Sequence, residues 1–318
     1  MKVLIAGGTG FLGTALTQSL ERDGHEVIIL SRRAPKNSRQ IQWDGRTADG
    51  WGHIVNDVDA IVNLTGYGLE HWPWTPRQKR RFVDSRVMPG LALVSAIKNA
   101  SHRPRVFLQT SGVNRYGLRG EGIADESTPA ADDFLAQITV HWESASQSIE
   151  KLGVCRIVAR SAVVLSGHGG LFPLMALPVR LFAGGKFGDG RQAMPWIHLA
   201  DEIGAIRFLL ENENARGAYN LISPEPASNA DFMKAIAKVL HRPYWFHVPE
   251  FLLRLVLGEM SVLLTEGRYS QPKRLLELGY QFKFSHLEDA LHDIFKKTLR
   301  RTNEKNHHTI DRIDPGGM

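Results

Sequence analysis

The sequence predicts an α/β fold, a doubly wound parallel sheet that carries a smaller C-terminal domain. Three observations predict it. Apolar runs of strand length alternate with helix-length segments from the first residues to about position 165. A glycine-rich turn separates the first strand from the first helix. Beyond residue 165 the texture changes to Gly- and Pro-rich loops at 166–170 and 184–190, followed by a region of short helices. With 318 residues, 43% of them hydrophobic and 23% charged, the chain has ample material for one large domain or two domains sharing a cleft. A single cysteine excludes an intrachain disulfide framework. The formal charge of +6 is scattered, with some of it near the C-terminus, and is weak evidence for a nucleic-acid surface.

The elements follow in order. Residues 3–6 form an apolar strand, residues 11–22 a helix whose apolar side carries Leu12, Ala15, Leu16 and Leu20, and residues 26–30 a second strand. Further strands are expected at 60–64, 105–108 and 154–159, the last enclosing Cys155 as a buried small hydrophobe. The helix before the second of these, the strand at 105–108, has Thr75 as N-cap and Pro76 at its first position, and Pro89-Gly90 predicts a kink or two helices. A helix over 201–211 is expected to start at Asp201 as its cap, and four more helices near 229–240, 251–264, 271–278 and 286–298. The strand-bearing domain then comprises residues 1–165 with 191–222 returning to it, and the second domain 166–190 and 223–298. The polar tail at 299–318 reads as disordered. No secretory signal is visible at the start of the sequence and no uncharged segment is long enough to span a bilayer, so a cytoplasmic protein without a membrane partner is expected.

Chemistry enters at Gly7-Gly8-Thr9-Gly10-Phe11-Leu12-Gly13, placed after a strand and opening a helix. Gly7 permits the tight turn, Gly10 lets backbone approach a pyrophosphate, and Gly13 lets the helix pack closely on the sheet. This is the Rossmann-like arrangement for a dinucleotide, and a structural turn is the bland alternative. An acidic residue about 20 positions on would bind a ribose 2′-hydroxyl. Ser31-Arg32-Arg33 stands there instead, and guanidinium groups with a hydroxyl suit a 2′-phosphate, so the cofactor expected is NADP(H).

The glycine pattern resembles that of extended short-chain dehydrogenase/reductases. Asn63-Leu64-Thr65-Gly66, Ser85-Arg86, Thr110-Ser111-Gly112 with Tyr116-Gly117, Trp142-Glu143, Pro195-Trp196-Ile197-His198 and Pro272-Lys273-Arg274-Leu275 narrow the match. Together they resemble the atypical NAD(P)-dependent "epimerase family" proteins with a C-terminal domain of unknown function, sometimes labelled cell-division-inhibitor-like. The resemblance covers about residues 1–296. It implies cofactor contacts from Gly7, Thr9, Gly10, Phe11, Leu12 and Gly13, from Ser31, Arg32 and Arg33, and from Leu64, Thr65, Gly66 and Arg86. A homodimer through helices flanking the sheet is a habit of the superfamily.

Ordinary members exchange a proton through a Tyr-x-x-x-Lys pair. The corresponding helix here reads Ile138-Thr139-Val140-His141-Trp142-Glu143, with Ile138 and Trp142 where the pair would stand. The sequence's own Tyr269-x-x-x-Lys273 lies in the C-terminal domain and reads as a decoy. Ser111, at the ligand edge of the sheet, and Tyr116, in the following loop, are the catalytic candidates. His141 and Glu143 read as surface or structural groups. No histidine pairing suggests a metal. The stretch from Trp72 to Phe82 mixes aromatic and basic residues, as single-strand nucleic-acid platforms do, but a loop beside the cofactor cleft explains it better.

The function expected is an NADP(H)-dependent epimerase or reductase that works by hydride transfer on an unidentified small-molecule substrate, with no nucleic-acid partner. The alternative is a non-catalytic NADPH-binding regulator or assembly factor.

Overall fold

The computed structural model describes residues 1–296. It opens with β1 (Lys2–Ala6), α1 (Phe11–Arg22), β2 (Glu26–Ser31), β3 (Gln40–Gln42), β4 (Ala60–Asn63), α2 (Pro76–Asn99), β5 (Val106–Gly112), α3 (Phe134–Ser144) and β6 (Cys155–Ser161). Next come β7 (Val163–Leu165), α4 (Phe172–Arg180), β8 (Gly184–Phe187), β9 (Trp196–His198), α5 (Leu199–Glu211) and β10 (Gly217–Leu221). Then follow α6 (Asn229–Val239), β11 (Tyr244–Val248), α7 (Glu250–Leu257), α8 (Val262–Thr265) and α9 (Lys273–Glu277), and residues 287–296 form a last helix, α10. The tail expected to be disordered lies outside the described residues.

Seven strands form one parallel sheet in the order β10-β6-β5-β4-β1-β2-β3. From β1 the chain steps outward to β2 and β3, then returns to place β4 on the other side of β1. The loops leaving β1 and β4 therefore diverge, and a crevice opens at the carboxyl ends of the strands where the order reverses.

The period of two along each strand splits the apolar residues between two faces. Val3, Ile5, Val27, Ile29, Ala60, Val62, Val106 and Leu108 join the core under α1 and α5. Leu4, Ala6, Leu30, Ile61 and Phe107 join the core under α2, with Trp43 and Trp51 meeting edge to face at 5.4 Å. A third core belongs to the C-terminal lobe. Phe172, Met175, Phe187, Trp196, Phe232, Ile236, Leu253 and Leu291 cluster in it, beside the two-stranded pairs β8–β11 and β7–β9.

Three local expectations change. The helix expected over 251–264 is divided, α7 ending at Leu257 and α8 starting at Val262 with a 3-10 turn between them. Helix α2 runs unbroken through Pro89. Its neighbour Gly90 is buried, and a Cβ there would stand 3.1 Å from Ala145, so the absence of a side chain lets α2 lie close against the end of α3. The cap of α5 is His198, whose Nδ1 accepts the Ala200 amide at 3.0 Å, and not Asp201. Asp201 is buried and turned to the C-terminal segment, where its carboxylate accepts the amides of Lys283 and Phe284 and its carbonyl accepts the Tyr280 hydroxyl. Thr75 caps α2 as expected, accepting from the Gln78 amide.

The Asp201→Ala variant leaves two backbone amides without acceptors, each worth roughly 1–3 kcal/mol when buried. A urea unfolding curve should show that loss, and limited proteolysis should then cut near residues 280–284.

Candidate functional site

The crevice begins at the glycine turn. Gly7 has φ +83°, a conformation costly for any residue with a Cβ. A Cβ on Gly13 would stand 2.3 Å from the Gly7 carbonyl oxygen and 2.5 Å from Gly8 Cα, so only glycine lets α1 start this close to the turn. The first turn of α1 holds no acidic residue, and its N-cap, Gly10, offers no side chain to its amides. Those amides and the helix dipole form an anion-binding end, at which Phe11 and Leu12 line the cleft and Thr9 is exposed.

At the end of β2, Ser31 is buried and its Oγ accepts the Arg33 amide at 3.1 Å, which turns the chain so that Arg32 and Arg33 stand exposed. After β4, the Leu64 amide donates to the Ala6 carbonyl, and the Thr65 hydroxyl donates to Asn63 Oδ1 at 2.6 Å. Gly66 adjoins the Arg86 guanidinium. Arg86 is buried, donates to the carbonyls of Tyr67 and Phe82, stands 4.9 Å from the Trp142 ring centroid and lines the cleft. Burial lowers its pKa to about 10, with Glu70 acting against that shift, so the guanidinium stays cationic at neutral pH. The cleft holds about 290 Å³, between Phe11, Arg86 and Ser161 on the sheet side and Met194, Glu266 and Arg268 on the lobe side.

The two catalytic candidates do not line this cleft. Ser111 is buried and its hydroxyl donates to Glu143 Oε1 at 2.8 Å. Tyr116 is fully buried; its hydroxyl donates to Asn220 Oδ1 at 2.6 Å and accepts from Arg160 at 2.9 Å. Burial pushes the phenol up, against the opposing pull of the Arg160 charge. A phenol that is enclosed, saturated with partners and harder to ionise is a poor proton donor for a ligand in the cleft, which corrects the expectation for Tyr116. The group that organises both residues is Glu143, which takes Arg160 Nε and Nη2 on its two oxygens at 2.9 and 3.0 Å. Glu143 is thus a buried structural acid, whereas His141, two residues before it, is exposed.

Ile138 and Trp142 are buried on α3 and offer no acid–base group. The Tyr269 and Lys273 side chains go to different partners, the Arg191 carbonyl and Asp125. Within the Trp72 to Phe82 stretch, Trp74 and Phe82 are buried against Ile138, so its aromatic residues mostly serve packing. Cys155 lies in β6, partly buried, and meets the Ala215 carbonyl. Among the described residues no group of three His, Cys, Asp or Glu side chains could hold a metal, and no helix is long and apolar enough to cross a membrane.

Sequence reasoning missed Ser161 and Glu202. Ser161, at the carboxyl end of β6, lines the cleft, and its Oγ lies 2.6 Å from Glu202 Oε1. Glu202 is wholly buried, and burial raises its pKa to about 8 against the smaller, opposite effect of the Ser161 hydrogen bond. A signal did exist. Glu202, Ala205, Ile206 and Leu209 follow helical spacing, which puts a carboxyl on the apolar face of α5.

A parallel sheet in this order, a glycine turn at its switch point and a lobe closing the crevice define a Rossmann-type dinucleotide-binding protein of two parts. The sequence profile of the NAD dependent epimerase/dehydratase family matches residues 3–221, and a domain of unknown function, DUF1731, matches residues 248–294. The chain belongs to that epimerase/dehydratase family. It is 38% identical over 306 residues to the epimerase family protein YfhF of Bacillus subtilis, across 94% of this chain and 100% of that one. The crystal structure of human epimerase family protein SDR39U1 (isoform 2) with NADPH is similar at a TM-score of 0.86 and 34% identity, covering 92% of this chain and 99% of that one. A nucleoside-diphosphate sugar epimerase from Corynebacterium glutamicum is similar at a TM-score of 0.74 and 26% identity, over 97% of this chain and 68% of that one.

The Glu143→Ala variant strands a buried guanidinium and should lose about 3–5 kcal/mol in urea unfolding, whereas Tyr116→Phe should lose only about 1 kcal/mol. Glu202 sets a pH dependence. Its folded pKa of about 8 exceeds the ordinary value of 4.5, so its contribution is fully favourable below that value and is lost as pH rises through 8. The unfolding free energy of the wild type, read from urea curves, should therefore fall between pH 5 and pH 8, at up to about 1.4 kcal/mol per pH unit, and that slope should vanish in Glu202→Gln.

Proposed function

We propose that the protein is an NADP(H)-dependent epimerase or reductase acting by hydride transfer on a small carbonyl or sugar-nucleotide substrate. The observation that carries the reading is the uncapped N-terminus of α1, held at the switch point by Gly7 and Gly13, with Arg32 and Arg33 exposed at the end of the neighbouring strand. The close packing of the glycine turn supports the reading, because a Cβ at Gly7 would stand 3.1 Å from the Leu64 backbone and one at Gly13 would enter the turn itself, so that only glycines hold the first amides of α1 at this edge of the sheet. The NADPH in the human relative's structure and the name of the Corynebacterium relative support the choice of cofactor and substrate class.

When bound, the nicotinamide supplies or accepts the hydride. The chain's residues do the rest. The first-turn amides of α1 bind the pyrophosphate; Ser31, Arg32 and Arg33 hold the 2′-phosphate, which a carboxylate at that place would repel. Leu64, Thr65 and Gly66 form the facing wall. Arg86, cationic within the cleft, holds negative charge there, and the lobe around Met194, Glu266 and Arg268 excludes water from the reacting groups.

One observation favours a second reading. Ser111 and Tyr116 are consumed in the Glu143–Arg160 network, and α3 has no Tyr/Lys pair, as a dinucleotide-binding regulator without turnover would require.

Calorimetric titration with NADPH and NADH tests the cofactor assignment. NADPH should bind more tightly, and Arg32→Ala with Arg33→Ala should weaken NADPH roughly tenfold or more while leaving NADH nearly unchanged. Equal affinities would remove the NADP(H) assignment. A scan of the NADPH complex for loss of the reduced-nicotinamide absorbance against carbonyl and sugar-nucleotide compounds separates the enzyme from the regulator.

A further inference from the structure

Glu202 is a carboxyl group with no structural task large enough to explain it. It is fully buried in α5, its Oε1 meets only the Ser161 hydroxyl, and its Oε2 has no hydrogen-bond partner among the described residues. No cationic side chain lies within ion-pair distance of it among the described residues. The charged groups on the elements around it are committed elsewhere: Arg160 of β6 to Glu143, Arg207 of α5 to Asp23 and Glu211, His198 to Asp293, and Asp201 to the 280–284 segment, whose Tyr280 hydroxyl donates to the Asp201 carbonyl. An acid enclosed in this way keeps its proton at neutral pH.

Its single partner stands at the cleft. Ser161 lies opposite Gly112 of β5 and Leu221 of β10, at the ligand edge of the sheet, and lines the same cleft as Phe11 and Arg86. A neutral carboxylic acid has an O–H of its own and can donate it to Ser161 Oγ, which leaves the serine proton for a group in the cleft.

Resting on the NADP(H)-dependent reading above, we infer that Glu202 and Ser161 form a proton relay that serves the substrate oxygen in place of the missing Tyr/Lys pair. Ser161 is the catalytic residue and Glu202 its positioning and proton-storing residue. In the reducing direction, the substrate carbonyl carbon accepts a hydride from the reduced dinucleotide and its C=O π bond breaks onto oxygen. That oxygen takes the Ser161 proton, Ser161 Oγ takes the Glu202 proton, and Glu202 is left as a carboxylate that solvent reprotonates after product leaves. The oxidising direction runs the same transfers backwards.

Infrared spectroscopy of the full chain tests the relay without a substrate. At pH 7 the wild type should show a protonated-carboxyl band that Glu202→Gln removes. On transfer to heavy water, that band should shift quickly in the wild type, because Ser161 connects the acid to the cleft. In Ser161→Ala it should shift at least tenfold more slowly, and Ser161→Thr, which keeps the hydroxyl, should restore the fast exchange. Saturating NADPH, which covers the cleft, should slow exchange in the wild type itself, an arm that needs no variant to fold. Absence of the band at pH 7, or equal exchange rates in wild type and Ser161→Ala, would overturn the relay. Failure of NADPH to bind would overturn the functional reading while leaving the comparison of Ser161 variants decisive for the proton path.

Discussion

The buried ion pair of Glu143 and Arg160 is the joint on which the ligand edge of the sheet depends. It ties α3 to β6 through two nitrogen–oxygen contacts, draws in Ser111 from β5, and passes through Tyr116 to Asn220 of β10. Asn220 continues to the Gln271 carbonyl in the C-terminal lobe. Parallel strands pair only along their length, so nothing in the ladder itself fixes the loops beyond their carboxyl ends. The charged network does so, and its donors and acceptors are matched well enough for a low-dielectric site to hold them. Arg160 illustrates the balance: burial works against its charge, and Glu143 and Tyr116 together outweigh burial, so that the net effect favours the guanidinium form.

That constraint also explains why the hydroxyls most visible in the sequence are not the ones facing the cleft. A tyrosine and a serine at the end of a central strand invite a catalytic reading, since that edge is where ligands bind. Here the edge is two layers deep. The inner layer, with Ser111, Tyr116, Glu143 and Arg160, serves cohesion, and the outer layer, with Arg86, Asn114 and Ser161, meets the cleft.

The legible parts of the molecule were those governed by local rules. The strand–turn–helix at residues 2–22, the Thr75-Pro76 helix start and the strands β1, β2, β4, β5 and β6 follow from periodicity, glycine conformations and capping chemistry within a few residues, whereas the short edge strand β3 carries no such signal. The illegible parts depended on contacts between distant segments. Pro89 looked like a breaker because its effect was judged on one helix, whereas Gly90 accommodates a second helix 55 residues further along, at Ala145. Asp201 looked like a cap because the cap rule is local, whereas its partners lie 82 and 83 residues away. Glu202 was overlooked because a carboxyl on an apolar helix face contradicts the pattern that defines the face.

The Asp201 contacts carry a mechanical consequence. The C-terminal lobe is joined to the sheet at several separated places, among them the covalent passage from β6 into β7, the hydrogen bonds of Asn220 to the Gln271 carbonyl and of Arg274 to the Ala218 carbonyl, and the 280–284 segment clasped to the first turn of α5. A body fastened at several separated points cannot swing about any one of them. The rim of the crevice is then shaped by short loops, such as the glycine pair 169–170, where a Cβ on Gly169 would stand 2.7 Å from the Phe11 ring.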